Sequence, residues 1–170
     1  TATDPDASAN LSFSFANGNG SDHNALFQIH QNQILRSLQP FDFETNATTY
    51  SVRIRVSDQH GAFTEGTFTV SLSDRNEPPV FVFPSQIIGL EELGFHVGKI
   101  QASDPDGDIL TYSTSGGSDE SQFMLQSTSG DLTFKTIMDF ENPLDSNGDN
   151  EYELRIRVSD GFLDAETTVL

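Results

Sequence analysis

Carboxylates dominate the chemistry this chain can offer. It has 26 Asp and Glu against 8 Lys and Arg over 170 residues, a formal charge of −18. Many of them stand in short spaced groups: Asp4-Pro5-Asp6, Asp42-Phe43-Glu44, Asn76-Glu77, Asp104-Pro105-Asp106 and Asp139-Phe140-Glu141. Carboxylates, Asn amides and backbone carbonyls are what a protein can present to a hard cation, and calcium takes about six to eight such oxygens at about 2.3–2.6 Å. Cations are therefore the natural partners, while nucleic acid and an anionic membrane face are repelled. Other chemistries find little footing. The chain has no Cys, His23, His30, His60 and His96 are scattered without metal spacing, and no Ser sits in a nucleophile-elbow pattern. Paired carboxylates also serve glycoside hydrolysis, but that needs a cleft between them. The chain is not expected to be an enzyme.

These groups belong to an internal repeat, which has to be found before any local reading. Asp4-Pro5-Asp6 returns as Asp104-Pro105-Asp106 and Asp42-Phe43-Glu44 as Asp139-Phe140-Glu141. The run YSVRIRVSD from Tyr50 to Asp58 returns as YELRIRVSD from Tyr152 to Asp160. The order is the same in both copies, at offsets of 100, 97 and 102 residues. A unit of about 100 residues is the size of an immunoglobulin-like sandwich. Within each copy apolar residues alternate, as in Leu11, Phe13, Phe15, then Tyr50, Val52, Ile54, Val56, then Phe68, Val70, Leu72. Period two marks strands with one buried face, and Gly-, Asn- and Ser-rich turns interrupt them. The expected fold is all-β, two immunoglobulin-like Greek-key sandwiches in tandem, spanning residues 1–78 and 79–170.

The connector Ser73-Asp74-Arg75-Asn76-Glu77-Pro78-Pro79-Val80-Phe81 carries two prolines, which fix φ and remove ladder donors, so a short stiff extended link is expected. Residues 80–102 open the second unit and have no counterpart before Asp4, so the first unit reads as lacking its N-terminal strands and the second as truncated in its last. With no apolar run long enough to span a bilayer and no signal peptide at residue 1, the chain reads as an internal slice of a longer protein.

The order DPD, DFE, VSD and then D-x-N-E-P-P-V-F, seen twice except for the connector, resembles the cadherin repeat, particularly its bacterial cadherin-like form. The resemblance implies calcium held at the joint between modules. Asp42 and Glu44 would come from the first module, Asn76 and Glu77 from the connector, and Asp104, Asp106 and Asp160 from the second module. Asp4, Asp6, Asp58, Glu92, Asp139 and Glu141 would be half-sites for joints outside this sequence. The connector N-E-P-P departs from the usual animal form by one residue and by Glu for Asp, which allows two ions in place of three. Taken singly, each motif is also an ordinary turn: DPD an Asx turn, DFE a strand end, Asn76 a capped bend. A further stretch, Asp145-Ser146-Asn147-Gly148-Asp149, has the D-x-N-x-D alternation of a calcium loop without the distal Glu, and equally suits a Gly-containing hairpin tip.

The resemblance implies a calcium-rigidified spacer or adhesive stalk of a cell-surface or secreted protein, extracellular, with neighbouring repeats of the same chain as partners. Two other functions fit an acidic sandwich. A carbohydrate-binding module for a surface glycan would want aromatic platforms, and Trp is absent. A filament subunit or homo-oligomer would have strands supplied by a neighbouring chain.

Overall fold

A computed structural model of the chain describes residues 2–5, 10–31, 33–82 and 95–170. It is all-β, with two short 3-10 turns, and divides into two compact units, residues 1–75 and 76–170.

In the first unit, β1 (Ser12–Phe15), β2 (Phe27–His30), β3 (Ile34–Ser37), β4 (Thr49–Ser57) and β5 (Phe63–Ser71) form two sheets, ordered β1-β4-β5 and β2-β3. All pairs are antiparallel, and β4 and β5 run in unbroken register from Thr49↔Ser71 to Ser57↔Phe63. Phe27, Tyr50 and Val52 are buried, with Phe15, Leu35, Phe41, Ile54, Val70 and Leu72 packed around them. The alternation expected along β4 is present, since Tyr50 and Val52 point inward. Phe68 is a departure: it lies opposite Val52 yet is 54% exposed.

On the outer face of the same strands Glu65 bridges two cations, Arg53 Nη2 at 2.9 Å and Arg55 Nη2 at 2.6 Å. The Arg55 and Arg53 guanidinium groups hold its carboxyl below the usual glutamate range of 4.5. A carboxylate depressed in the folded state contributes stability that is complete above its unfolded pKa and is lost as pH falls through the lower folded value. Thermal melts should therefore lose stability as the pH is lowered below about 4.5. The Glu65→Gln variant should be less sensitive over that window, and an identical acid dependence would show that Glu65 contributes nothing to it.

The second unit contains β6 (Val80–Phe81), β7 (His96–Lys99), β8 (Ala102–Ser103), β9 (Thr111–Gly116), β10 (Phe123–Leu125), β11 (Asp131–Phe134), β12 (Leu154–Ser159) and β13 (Asp164–Val169). Its sheets are ordered β13-β12-β9, β10-β11-β7 and β6-β8. The core is larger: Ile100, Leu132, Leu154, Ile156 and Val158 are fully buried, joined by Tyr112, Phe123 and Val169. Gly130, at φ +74°, lies so close under the Ile100 carbonyl that a side chain there would collide with it. Only glycine tolerates both the left-handed φ and that approach.

Candidate metal centre

Three stretches of the second unit meet at one end of its strands. Asp104 follows β8, Asp160 follows β12, and Asn76 with Glu77 begins the unit. The Asp104 Oδ1 accepts the backbone N–H of Asp106 at 3.0 Å and of Asp108 at 3.2 Å, an Asx turn that holds the loop tight. One Asp160 oxygen likewise accepts N–H groups of Phe162 and Leu163, both at 2.6 Å. The other accepts the Asn76 amide at 2.7 Å. The backbone N–H of Glu77 donates to Asp106 Oδ2 at 3.0 Å, and carboxylate oxygens of Glu77 and Asp106 lie within 4.8 Å of each other.

Two features make this end unusual. The Asp104 Oδ2 is buried and has no hydrogen-bond partner among the described residues, although a buried oxygen left unbonded is costly and rare. Asp104, Asp106 and Asp160 also have no Lys or Arg partner among the described residues. Burial works to raise the Asp160 pKa, but the Asn76 amide and the two backbone N–H groups outweigh it and hold the carboxyl ionised below its ordinary value. Carboxylates gathered with an uncommitted oxygen are a donor set for a hard cation, and the residues fit calcium.

In the first unit the stacking of Phe41 on Tyr50, with centroids 4.5 Å apart, anchors the start of the Asp42 loop. Asp42 Oδ1 accepts N–H groups of Glu44 at 3.0 Å and Thr45 at 3.2 Å, and Asn46 closes the turn through the Asp42 N–H at 2.9 Å. The Thr45 side chain foremost, opposed by desolvation, keeps the Asp42 carboxyl below its ordinary value. A Glu44 oxygen lies within 4.8 Å of one from Asp74. Asp74 is not among the ligands that sequence reasoning named. Its signal was present, because the connector motif D-x-N-E begins with it.

The remaining candidates repeat these geometries singly. Asp58 Oδ1 accepts N–H groups of His60 and Ala62 as Asp160 does those of its own loop, and Asp139 Oδ1 accepts that of Glu141 as Asp42 does that of Glu44. Asp4 is described, and Asp6 and Glu92 lie outside the described residues. In the D-x-N-x-D stretch, Asp145 is buried and turned onto backbone N–H groups, of Gly148 and Asp149 at one oxygen and of Asn150 at the other. Burial acts to raise its pKa, but these N–H groups outweigh it and hold it low. The Asn147 amide donates to Asp149 at 2.7 Å. Asp119, buried and unsignalled by any motif, pins the same loop by accepting N–H groups of Ser146 and Glu153.

The geometry thus defines a class: tandem all-β sandwiches with acidic loops gathered at strand ends. No protein-family model matches the chain. Among curated proteins, human Cadherin-8 is 30% identical over 162 residues, covering 82% of this chain and 20% of that protein. Protocadherin Fat 2 of Rattus norvegicus is 32% identical over 179 residues, covering 99% of this chain and 4% of that protein. The chain therefore spans a fifth or less of these relatives. Among solved structures, human Protocadherin-24 EC1-2 superposes with a TM-score of 0.55 at 21% identity, covering 94% of this chain and 77% of that one. These similarities support a cadherin-like repeat of an extracellular, cell-surface kind. No helix among the described residues is long and apolar enough to cross a membrane.

Proposed function

We propose that the chain is two cadherin-like repeats, about residues 1–78 and 79–170, and that calcium bound by the acidic loops and the connector stiffens it as a spacer or adhesive stalk. The role is structural and non-enzymatic. The observation that carries the reading is the buried, unbonded Asp104 Oδ2, in a loop whose Asp106 accepts the Glu77 N–H while the neighbouring Asn76 bonds Asp160. An ion there would satisfy that oxygen and relieve the repulsion among carboxylates, which costs about 1 kcal/mol per close pair even in water. Asp42, Glu44 and Asp74 are the oxygens of the first repeat proposed to join in calcium binding. The finer likeness to the bacterial cadherin-like form rests on the connector N-E-P-P. Neighbouring repeats of the same polypeptide are the proposed partners. One solved structure of this fold is described as a cis dimer of protocadherin gammaB7, and association of repeats is a natural extension here.

Calcium titration by calorimetry tests the proposal directly: saturable binding is expected, and none in millimolar calcium would sink it. Chelation should leave strand content by circular dichroism nearly unchanged, since both cores are apolar and the ligands sit at strand ends. Distances between labels in the two units should then spread more widely. A single cooperative melting of both units on chelation would make the ions part of the fold instead.

A further inference from the structure

Both units close the same joint with one side chain, and the two side chains differ. In each unit a short 3-10 turn, Asn24–Leu26 or Glu120–Gln122, leads into β2 or β10, and the residue just before it is His23 in the first unit and Asp119 in the second. Ser51 and Glu153 hold one place in the repeat, each following the Tyr of the YSVRIRVSD and YELRIRVSD runs. The His23 N–H donates to the Ser51 carbonyl at 3.1 Å, and the Ser51 N–H donates back to His23 Nδ1 at 3.0 Å. In the second unit the Asp119 N–H donates to the Glu153 carbonyl at 3.1 Å, and the Glu153 N–H donates back to Asp119 Oδ2 at 2.9 Å. One clip is thus built twice, with an imidazole as acceptor in the first unit and a carboxylate in the second.

The acceptor role fixes the state of the ring. A ring nitrogen that receives an N–H carries no hydrogen of its own, so the neutral His23 ring holds its hydrogen on Nε2. An imidazolium donates at both nitrogens, and its Nδ1–H would then face the Ser51 N–H head-on. A second acceptor stands beside the first. Ser51 Oγ lies 3.3 Å from His23 Nδ1 and 3.3 Å from Asp22 Oδ2, so the hydroxyl can receive the Nδ1–H while giving its own hydrogen to the Asp22 carboxylate. Asp22 is the counter-charge at this spot. Tyr50 meets the ring edge-on with centroids 5.2 Å apart, and Thr69, opposite Ser51 on β5, does not titrate. Arg53, farther along β4, is turned to Glu65 and the Asn19 carbonyl.

We propose that His23 is a proton-operated clip in the first unit. Neutral, it ties the segment before β2 to β4 through the Ser51 amide; protonated, it releases that amide and turns to the Ser51 hydroxyl and Asp22. Imidazole is the side chain that ordinarily changes charge between about pH 5 and 8, whereas carboxylates ordinarily do so near about pH 4. Mild acid therefore opens the clip of the first unit and leaves that of the second closed, so the two repeats answer the same change of pH differently. The released amide adjoins Tyr50, whose ring stacks on Phe41 at the start of the Asp42 loop.

Amide exchange of the whole chain at one fixed calcium concentration, corrected for the intrinsic rate at each pH, tests this. From about pH 8 to about pH 5 the protection of the Ser51 amide should fall about fivefold, the worth of one neutral hydrogen bond, while that of the Glu153 amide stays level. His23→Asn puts an amide oxygen in place of Nδ1 and does not titrate, so it should keep Ser51 protection constant over the range. Nitrogen chemical shifts of the wild-type ring read the same event without a variant: the Nε2–H form is expected at the upper pH and the doubly protonated ring at the lower. Constant Ser51 protection in the wild type, a fall that persists in His23→Asn, or an Nδ1–H ring at the upper pH overturns the proposal.

Discussion

Replacing Asp104 by Ala is expected to weaken calcium binding by about a hundredfold, about 3 kcal/mol, while both sandwiches stay folded. Calcium affinity in protein sites ranges over many decades with the number of charged ligands. Asp104 also combines a charge with a buried oxygen that has no other partner among the described residues. The side chain has two tasks that different substitutions separate. Its Oδ1 holds the turn through the N–H groups of Asp106 and Asp108, whereas Oδ2 is the oxygen left for an ion. Asp104→Asn keeps an acceptor for the turn and loses the charge, so it should lose most of the calcium affinity with amide exchange at Asp106 and Asp108 unchanged. Asp104→Ala should lose the affinity and speed that exchange. Calorimetric titration with exchange measured in the absence of calcium separates the two, and an unaltered titration in both variants would remove Asp104 from the ligand set.

The second large effect is on stability. Ile156→Ala should cost about 2–5 kcal/mol, the range for truncating a fully buried aliphatic side chain and leaving a cavity. That is a large share of a small domain's total. The corresponding Ile54→Ala should cost far less, about 1 kcal/mol, because part of that side chain already faces water. Urea unfolding followed by a probe in each unit measures both. Equal costs would mean that the Ile54 face is covered in solution as fully as its counterpart.

The comparison of Ile54 with Ile156 also marks the limit of what the sequence determined alone. Strand alternation, turn positions, the repeat of about 100 residues and the acidic loops all follow from spacing along a local stretch. A two-residue period has one structural meaning, a strand with two distinct faces. It says which side chains share a face and not what lies over it. Phe68 and Val169 stand at equivalent positions of paired strands, yet one is exposed and the other buried, because cover comes from strands distant in sequence. The candidate metal centre divides the same way. The motifs carrying Asp42, Glu44, Glu77, Asp104, Asp106 and Asp160 were legible as oxygen donors. The contact of Asn76 with Asp160, 84 residues away, the burial of one Asp104 oxygen, the approach of Asp74 to Glu44 and the role of Asp119 under the Asp145 loop were decided by the tertiary structure. Hydrogen bonding and desolvation depend on which atoms meet, and chain packing brings them together across separations that no local spacing encodes.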